Sequence, residues 1–439
     1  MEKESEDKVA DSSSSTIRLL LHAVDGLVPY LTPQLLRTCF PPKTTGDRLW
    51  MGLAVKDTCV VPSFASEADS KNKNHPRGYE YTANDVTIDA WMQPYTRVTV
   101  PTFDMVADAQ GRQHAKDAAV VAATDEHVML WTGNGRQPIT AAQYFASAQQ
   151  GLQSAYTVPL FDAGGVAPVK RKRIVAAQNR TQKWSRDYQE RSAGASGGTL
   201  FPILVGADIW PTGVEDQLAC VLETNKEIGN NDKTGVVLIG WSDLSDELQI
   251  SSLEQVQNRL KGAPVGMLAT TTLAHILRAA CHGATIIGSN LPQQWALQKK
   301  AFLFDLEECL STTNSDDSEP PAKRLKTNET TAASPTDTNS CLDLHAPGDR
   351  VEEHSWYRDK RPLMPNCTCH TCRVHSRAYL YHLVCAKELL AEVLLFIHNL
   401  HHLLHVLCSI EKIKEDSTKQ SSLLAYVSSL SKATPRASN

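Results

Sequence analysis

Residues 236–287 read VVLIGWSDLSDELQISSLEQVQNRLKGAPVGMLATTTLAHILRAACHGATII. Short β-rich runs alternate in this stretch with segments whose apolar residues recur at helical spacing. The β-rich runs are Val236–Ile239, Val265–Leu268 and Thr285–Ile287, and the helical segments are Leu253–Leu260 and Leu273–Cys281. This alternation is typical of parallel strands joined by crossover helices, and it predicts an α/β fold.

The same alternation begins upstream, near Ala155. A strand over Thr157–Phe161 precedes a helix near Lys172–Glu190, and a strand over Leu200–Val205 precedes a helix near Val214–Ile228. Two architectures fit these units, a (β/α)8 barrel and an open, doubly wound sheet. Residues 1–100 carry no pattern from which elements can be assigned.

A hairpin is predicted ahead of these units. His127–Trp131 has strand character, and Gly133-Asn134-Gly135 supplies the positive-φ positions of a tight turn. Thr140 with Gln143 three residues later forms the pattern of a capping box, which predicts the start of a helix.

Composition restricts the class of protein. The chain has 439 residues, 41% of them hydrophobic, which is enough for a large core, and its net charge of −5 does not attract nucleic acid as a whole. The first 16 residues are polar and acidic and resemble neither a secretory signal nor a transit peptide, so we expect a cytoplasmic protein. Leu389–Leu407 is apolar but interrupted by Glu392 and histidines, which favours a core helix over a transmembrane segment.

Three cysteines form the strongest motif. Cys367, Cys369 and Cys372 lie within six residues, and His398 follows after 25 intervening residues. Thiolates this close repel one another unless a cation lies among them, and Zn²⁺ prefers a tetrahedron of such sulfur and imidazole ligands. The spacing therefore predicts one structural Zn²⁺, since four protein ligands leave no position for a catalytic water.

Apolar residues after the cysteines recur at helical spacing, which predicts one long amphipathic helix from Ser376 to about Cys408 that carries His398 back to the cysteines. The other histidines and cysteines of this region are expected not to be ligands. His401, His402 and His405 are interpreted as a polar stripe, and Cys385 and Cys408 as helix core.

The segment from Cys367 to Leu383, with Ser376-Arg-Ala-Tyr379 and the pair His398-Asn399, resembles the zinc segment of tRNA-guanine transglycosylases. Weaker similarity extends over most of the chain, including Leu160-Phe-Asp162 and Asn179–Trp184. The resemblance implies a (β/α)8 TIM-type barrel with an attached Cys3His zinc-binding module and a long C-terminal helix. In that family the barrel exchanges guanine in a tRNA anticodon for a deazaguanine, and an aspartate is the covalent nucleophile.

The catalytic positions of that family are not retained. Its nucleophile motif corresponds to residues 283–294, where Gly288 stands in place of the aspartate and Thr285 and Gln294 also replace family residues, while Pro292 supports the alignment. No segment corresponds to the one that carries the second aspartate. Glycine has no side chain with which to attack, so we expect no catalytic residues.

Other pocket positions have changed as well. The base-reading Gln-Gly of the family corresponds to Val205-Gly206, and the Gly-Gly-Leu strand end corresponds to Ile239-Gly240-Trp241. Asp162 matches an aspartate that contacts the base, but it fits equally well as a strand-end residue that caps the following turn.

The resemblance therefore implies a non-catalytic subunit that forms a heterodimer with a catalytic queuine tRNA-ribosyltransferase subunit and meets tRNA through the complex. It adds a peripheral position on the mitochondrial outer membrane to the expected cytoplasmic location. The predicted organisation is a disordered N-terminus (1–16), a degenerate barrel (17–311), a disordered insertion (312–343), the zinc-binding module with its helix (344–415) and a C-terminal tail (416–439). Within the insertion, Pro320–Lys326 has the composition of a nuclear import signal or of an ordinary solvated loop.

Two alternatives remain open from the residues. One is an active transglycosylase whose nucleophile is Asp305 or Asp208. The other is an unrelated zinc-dependent RNA-binding protein, which would use the basic run Lys170–Arg173 with Arg180, Lys183 and Arg186. Such a run is also typical of a solvated helix face.

Overall fold

The computed structural model describes residues 16–23, 28–55, 95–101, 123–132, 135–152, 154–162, 171–193, 197–206, 212–224, 233–260, 262–312, 341–344 and 355–432. The described strands are β1 (Arg18–Ala23), β2 (Leu49–Ala54), β3 (Thr96–Val100), β4 (His127–Thr132), β5 (Gly135–Thr140), β6 (Tyr156–Thr157), β7 (Gly198–Leu204), β8 (Thr234–Ile239), β9 (Val265–Thr270), β10 (Ile286–Ser289), β11 (Lys300–Phe302) and β12 (Cys341–Asp343). The described α-helices are α1 (Pro33–Cys39), α2 (Pro42–Thr45), α3 (Ala141–Ala146), α4 (Arg171–Arg191), α5 (Thr212–Thr224), α6 (Asp246–Leu260), α7 (Leu273–Cys281), α8 (Leu291–Leu297), α9 (Leu306–Thr312), α10 (His370–Val374), α11 (Arg377–Cys385), α12 (Leu389–Lys414) and α13 (Ser417–Lys432).

Eight parallel strands close into a barrel in the order β1-β10-β9-β8-β7-β6-β3-β2. Strand β1 closes it, since it pairs with β2 on one side and with β10 on the other. Closure decides between the two architectures that the residues left open, and the (β/α)8 barrel is confirmed. All residues of β2 and β8 are buried because a parallel barrel has side chains packed on both faces of each strand.

The barrel has an inner and an outer core. The inner cluster consists almost entirely of alternate strand residues, among them Leu20, Val98, Leu200, Val237 and Ile286. The intervening strand residues pack outward against the helices in a second, larger cluster. This two-layer packing holds the strands so that all their C-terminal ends open at one mouth, where barrel proteins carry their functional groups.

Most predicted elements are confirmed, with small shifts in their ends. The strand expected over Thr157–Phe161 is shorter, because only Tyr156–Thr157 pairs with its neighbours. The hairpin of β4 and β5 forms, although turn residues 133 and 134 lie outside the described residues. Thr140 and Gln143 make both hydrogen bonds of the capping box at the start of α3.

The helix expected from Ser376 to Cys408 is wrong in one respect, since it is divided into α11 and α12. Lys387 between them has a left-handed backbone with φ of 58°. The amide of Glu388 then donates to the carbonyl of Leu383, so the chain turns before the second helix begins.

Helix α12 has the length and hydropathy of a membrane span, but 78% of its most apolar window is buried within the fold. This burial agrees with the core helix predicted from the sequence. Residues 1–15 and most of the predicted insertion, residues 313–340, lie outside the described residues. The insertion ends earlier than predicted, because Cys341–Asp343 forms β12 and pairs antiparallel with β11.

Candidate metal centre and barrel mouth

The three predicted cysteine ligands lie around the start of helix α10. Cys369 is the N-cap residue of this helix, and its sulfur accepts a hydrogen bond from the backbone amide of Cys372 at 3.3 Å. Cys367 precedes the helix by two further residues. The sulfur atoms of the three cysteines and one ring nitrogen of His398 all lie within 4.8 Å of one another, so the structure brings all four predicted ligands together.

His398 comes to the cysteines from helix α12 and is completely buried. Its Nδ1 atom lies 3.7, 3.6 and 3.3 Å from the sulfurs of Cys367, Cys369 and Cys372. Its Nε2 atom lies 2.8 Å from the carbonyl oxygen of Phe302 in β11. A carbonyl can only accept, so Nε2 carries the proton and the Nδ1 lone pair faces the sulfurs.

These distances fit a tetrahedral zinc ion. With ordinary Zn–S and Zn–N bond lengths, neighbouring sulfur and nitrogen ligands are separated by about 3.6 Å. Without a cation the thiols are strongly coupled: hydrogen bonds from Cys369 and Cys372 lower the pKa of Cys367, and the matching bonds, together with burial, raise the pKa of Cys369. The cluster therefore favours a single thiolate unless a cation stabilises the others.

Neighbouring side chains tie the cluster to the barrel side of the molecule. Asn399 is fully buried; its Oδ1 accepts from the amide of Phe302 at 2.8 Å, and its Nδ2 donates to the carbonyl of Lys300 at 3.0 Å. Thr371 of α10 donates to the carbonyl of Leu394 in α12 at 2.7 Å. Helices α10 and α12 and strand β11 are thus fixed to one another around His398.

The other histidines divide into separate environments. His402 was interpreted as part of a polar stripe, which is wrong, because it is buried and its Nε2 lies 2.6 Å from the carbonyl of Phe304. Nδ1 of His401 lies 4.0 Å from the sulfur of Cys367, outside the tight group. Cys385 and Cys408 are half-buried and not part of the cluster.

At the barrel mouth, Gly288 in β10 lies against the backbone of β9. A β-carbon at position 288 would stand 2.1 Å from the carbonyl oxygen of Leu268 and 2.8 Å from that of Met267, both far inside van der Waals contact. The cause is an irregularity in the pairing: between the pairs Ile287–Met267 and Ser289–Thr270, β9 has one residue more than β10. Because of this bulge, the backbone of Leu268 occupies the space into which a side chain at position 288 would project.

Side chains hold the bulge in place. The hydroxyl of Thr270 donates to the carbonyl of Gly288 at 3.0 Å, and the hydroxyl of Ser289 donates to the carbonyl of Thr270 at 3.1 Å. From β1, Nε2 of His22 lies 2.7 Å from the carbonyl oxygen of Leu268. Burial lowers the pKa of His22 to about 4, so the imidazole is neutral and donates this bond at neutral pH.

Asp162 follows β6 at the mouth and is 1% exposed. Both of its carboxylate oxygens are bound by Arg173 of α4, at 2.5 and 2.6 Å, and Arg180 of the same helix lies 3.1 Å from Oδ2. The Asp162 amide donates to the hydroxyl of Thr181 at 3.0 Å. The expectation that Asp162 caps the following turn stays a prediction, because residues 163–170 lie outside the described residues, whereas the described contacts bind its carboxylate to two arginines.

The contacts of these arginines with Asp162 also change the interpretation of the basic run in the sequence. Two of its members, Arg173 and Arg180, bind Asp162, and Lys183 donates to the carbonyl of Asp125 at 3.3 Å. Sequence reasoning missed the pairing with Asp162. The seven-residue spacing of the two arginines on a predicted helix puts them on one face and would have been the available signal.

Within the described residues, neither of the two alternative nucleophiles lies at the mouth of the barrel. Asp305 lies after β11, outside the barrel, and its carboxylate accepts from the amide of Glu307 at the start of α9. Asp208 lies outside the described residues. Asp243, four residues after the last residue of β8, is exposed, whereas Asp162 is buried.

Both sites lie within the stretch of the chain that matches a known protein family. The family described as Queuine tRNA-ribosyltransferase matches residues 78–426, which include the barrel from β3 onward and the metal cluster. The chain is 30% identical over 307 residues to the Queuine tRNA-ribosyltransferase accessory subunit 2 of Xenopus tropicalis, covering 67% of this chain and 70% of that protein. The proteins of the same name from Gallus gallus and Aedes aegypti are 26% and 23% identical, over 69% and 93% of this chain and 72% and 84% of theirs.

Proposed function

The chain belongs to the queuine tRNA-ribosyltransferase family, and we propose that it is the non-catalytic subunit of a heterodimeric enzyme of this family. Its partner would be a catalytic subunit that exchanges guanine for queuine at the wobble position of tRNAs with GUN anticodons, those for Asp, Asn, His and Tyr. The similarity to proteins named accessory subunit 2 supports the assignment to this role rather than to the catalytic one.

The observation that carries the proposal is the packing of Gly288. A missing carboxylate alone could be a one-residue loss, whereas here the backbone of Leu268 occupies the space that any side chain at this position would need. Covalent catalysis requires the nucleophile to reach the reacting carbon, and a position without a side chain or room for one offers no such group. The same strand end is kept in place by Thr270 and Ser289.

We further propose that Cys367, Cys369, Cys372 and His398 hold one structural Zn²⁺ per subunit. The donor set, the near-tetrahedral spacing and the fixed imidazole proton support this metal. When bound, the ion would stabilise the thiolates and hold α10 against α12. Because the four residues leave no coordination position for a catalytic water, the role of the ion would be to stabilise the fold.

The metal module carries the surface that we propose for the catalytic partner. Val374 of α10 and Leu389 at the start of α12 are 60% and 65% exposed, and Tyr379 and Leu390 nearby in the sequence are also exposed. Large apolar side chains that remain exposed in one module are typical of an interface. A catalytic subunit of the same family is the occupant that fits the proposed function, since this chain would supply no chemistry alone.

Contact with tRNA is proposed to occur through the complex. The chain has a net charge of −5, and Arg173 and Arg180 of its basic run are already bound to Asp162. Lys and Arg side chains bind phosphates by displacing the cations condensed on the nucleic acid, and arginines already paired with a carboxylate contribute less to this binding. We propose that the protein is located in the cytoplasm, where it would encounter these tRNAs and its catalytic partner subunit.

Base exchange tests this proposal. We expect the chain alone to incorporate no labelled guanine into tRNA, the catalytic subunit alone to incorporate little, and an equimolar mixture to be active and to elute as a one-to-one complex by light scattering. A catalytic subunit with its nucleophile mutated, mixed with this chain, is the control. Exchange in that mixture, or by this chain alone, would contradict the proposal, as would failure to associate at micromolar concentration.

A further inference from the structure

The three sulfurs of the metal cluster are held by different parts of the fold. Cys369 is the N-cap residue of α10 and is 3% exposed, and its sulfur accepts from the amide of Cys372 at 3.3 Å. Cys372 lies within α10, which is attached to α12 by the hydrogen bond from Thr371 to Leu394. Cys367 precedes α10, so neither of these two attachments holds it.

Cys367 follows a tight turn on the surface. Asn366 before it has a left-handed backbone with φ of 61°, a conformation that asparagine tolerates, and the amide of Cys367 donates to the carbonyl of Met364 at 3.4 Å. Residues 365, 366 and 368 are exposed, and Cys367 itself is half-buried. This ligand is therefore carried by an exposed turn and not by a helix.

His401 reaches this turn from α12. It lies three residues after His398, and residues at this spacing are neighbours on one face of a helix. Its Nδ1 atom lies 4.0 Å from the sulfur of Cys367, a long N–H···S contact, and its Nε2 atom lies 3.4 Å from the hydroxyl oxygen of Thr368. One imidazole thus contacts both a ligand atom and the residue that follows this ligand.

The two contacts determine which ring nitrogen carries the proton. Cysteine binds metals as the thiolate, which can only accept, so a neutral His401 has its proton on Nδ1 and donates it to the sulfur of Cys367. Nε2 then accepts from the hydroxyl of Thr368. Thr368 therefore stabilises the tautomer in which His401 donates to the sulfur.

We propose, on the premise that the cluster holds zinc as proposed above, that His401 is a positioning residue which holds the Cys367 turn against α12 and slows the release of the ion. It is not a ligand, because the four atoms of the tight group already complete a tetrahedron. A donor beside a ligand sulfur fixes the direction of this ligand and offsets part of its charge. Removing such an outer hydrogen bond typically weakens metal binding by about tenfold or more.

Zinc transfer from the purified, zinc-loaded full chain to the colorimetric chelator pyridylazoresorcinol tests this role. His401→Ala should start with about one equivalent of zinc, as the wild type does, and should release it about fivefold or more faster. His401→Asn keeps an N–H donor near the position of Nδ1 and should restore most of the slow release. The matched control is His405→Ala, at an exposed histidine one turn further along α12, which should release zinc as the wild type does.

Alkylation with iodoacetamide, followed by mass spectrometry of the peptides, measures the effect at individual cysteines. The sulfur of Cys367 displaces iodide from the reagent, and this reaction should be several-fold faster in His401→Ala than in the wild type. Cys281 in α7 is buried and should react equally slowly in both proteins. This internal control separates loss of the His401 contact from general unfolding.

Four results would overturn the role of His401: equal release rates in the wild type and His401→Ala, release from His401→Asn as fast as from His401→Ala, fast release from His405→Ala, or faster alkylation of Cys281. Zinc content and pairing with the catalytic subunit are measured on the same samples. Equal release rates with normal zinc content and normal pairing would leave the proposed function intact, whereas a wild-type protein without zinc would refute the proposed metal site as well.

Discussion

Gly288 packs so closely against Leu268 that a β-carbon at position 288 would stand 2.1 Å from the Leu268 carbonyl oxygen. The same oxygen accepts a hydrogen bond from Nε2 of His22 at 2.7 Å. One backbone carbonyl therefore occupies the space beside Gly288 and connects β9 to β1. The position that the family resemblance assigns to the nucleophile is closed by the backbone, which no single side-chain replacement can reverse.

Restoring a side chain at position 288 is expected to destabilise the protein without creating activity. Gly288→Ala should lower the free energy of unfolding by about 3 kcal/mol, since β9 and β10 must move apart to admit the methyl group. Gly288→Asp should lower it further and show no base exchange. Urea unfolding and the exchange assay measure the two effects.

Gly197→Ala is the matched control for this change. Among the described residues, the nearest atom to a β-carbon at position 197 would be the carbonyl oxygen of Ser154, at 3.4 Å, so the substitution should be nearly neutral. Base exchange by Gly288→Asp, or a stability equal to that of the control, would show that the strand end is not closed.

His22 predicts a loss of stability in mild acid. Burial lowers its pKa in the folded protein to about 4, whereas the unfolded chain takes up the proton near 6.5. The stabilising contribution is therefore complete above pH 6.5 and is lost as the pH falls toward 4. Between pH 7 and pH 5, the wild type should lose about 2 kcal/mol more than His22→Gln.

Urea unfolding of both proteins with zinc in the buffer checks this difference, because the metal cluster then contributes equally to each. Parallel pH dependences in the two proteins would show that His22 is protonated normally in the folded state.

Metal analysis tests the proposed zinc site. The wild-type protein should contain about one equivalent of zinc, and Cys369→Ser and His398→Ala should contain much less, because closed four-ligand sites bind tightly only when complete. His401→Ala and Cys385→Ser are controls that should keep the metal, since neither residue belongs to the tight group. Full zinc in Cys369→Ser would refute the assignment.

The proposed partner surface can be tested without disturbing the fold. Leu389→Asp, alone or with Val374→Asp, should weaken the heterodimer by about tenfold or more, since apolar residues at the centre of an interface carry most of its affinity. Melting temperatures should hardly change, because both side chains are mostly exposed. Val175→Asp on α4, at a residue that is 45% exposed, is the control, and equal weakening by it would argue against the surface.

The insertion predicted from composition can be shortened, but only up to β12. Replacing residues 313–340 with a short Gly-Ser linker should leave the melting temperature nearly unchanged, since the entropy of closing a loop varies slowly with its length. Extending the deletion through Asp343 should lower it by several degrees, because it removes the pairing of Cys341–Asp343 with β11. Equal melting temperatures for the two deletions would mean that β12 contributes nothing.

The sequence by itself determined the features that local spacing encodes. Alternating strands and helices follow from the periods of apolar residues, and Cys367, Cys369, Cys372 and His398 were identified as one cluster because three of them lie within a few residues of one another. The absence of a nucleophile at position 288 also needed only the sequence and its resemblance to a family.

Only the tertiary structure decided how distant segments meet. Closure of the barrel depends on β1, β2 and β3 from the first hundred residues, which have no clear pattern because strands buried on both faces lack alternation. The clamp of Arg173 on Asp162 depends on where α4 begins relative to β6, and the contact of Gly288 with Leu268 depends on one extra residue in β9. Such contacts depend on long-range strand pairing and register, and the hydrophobic period of a single segment determines neither.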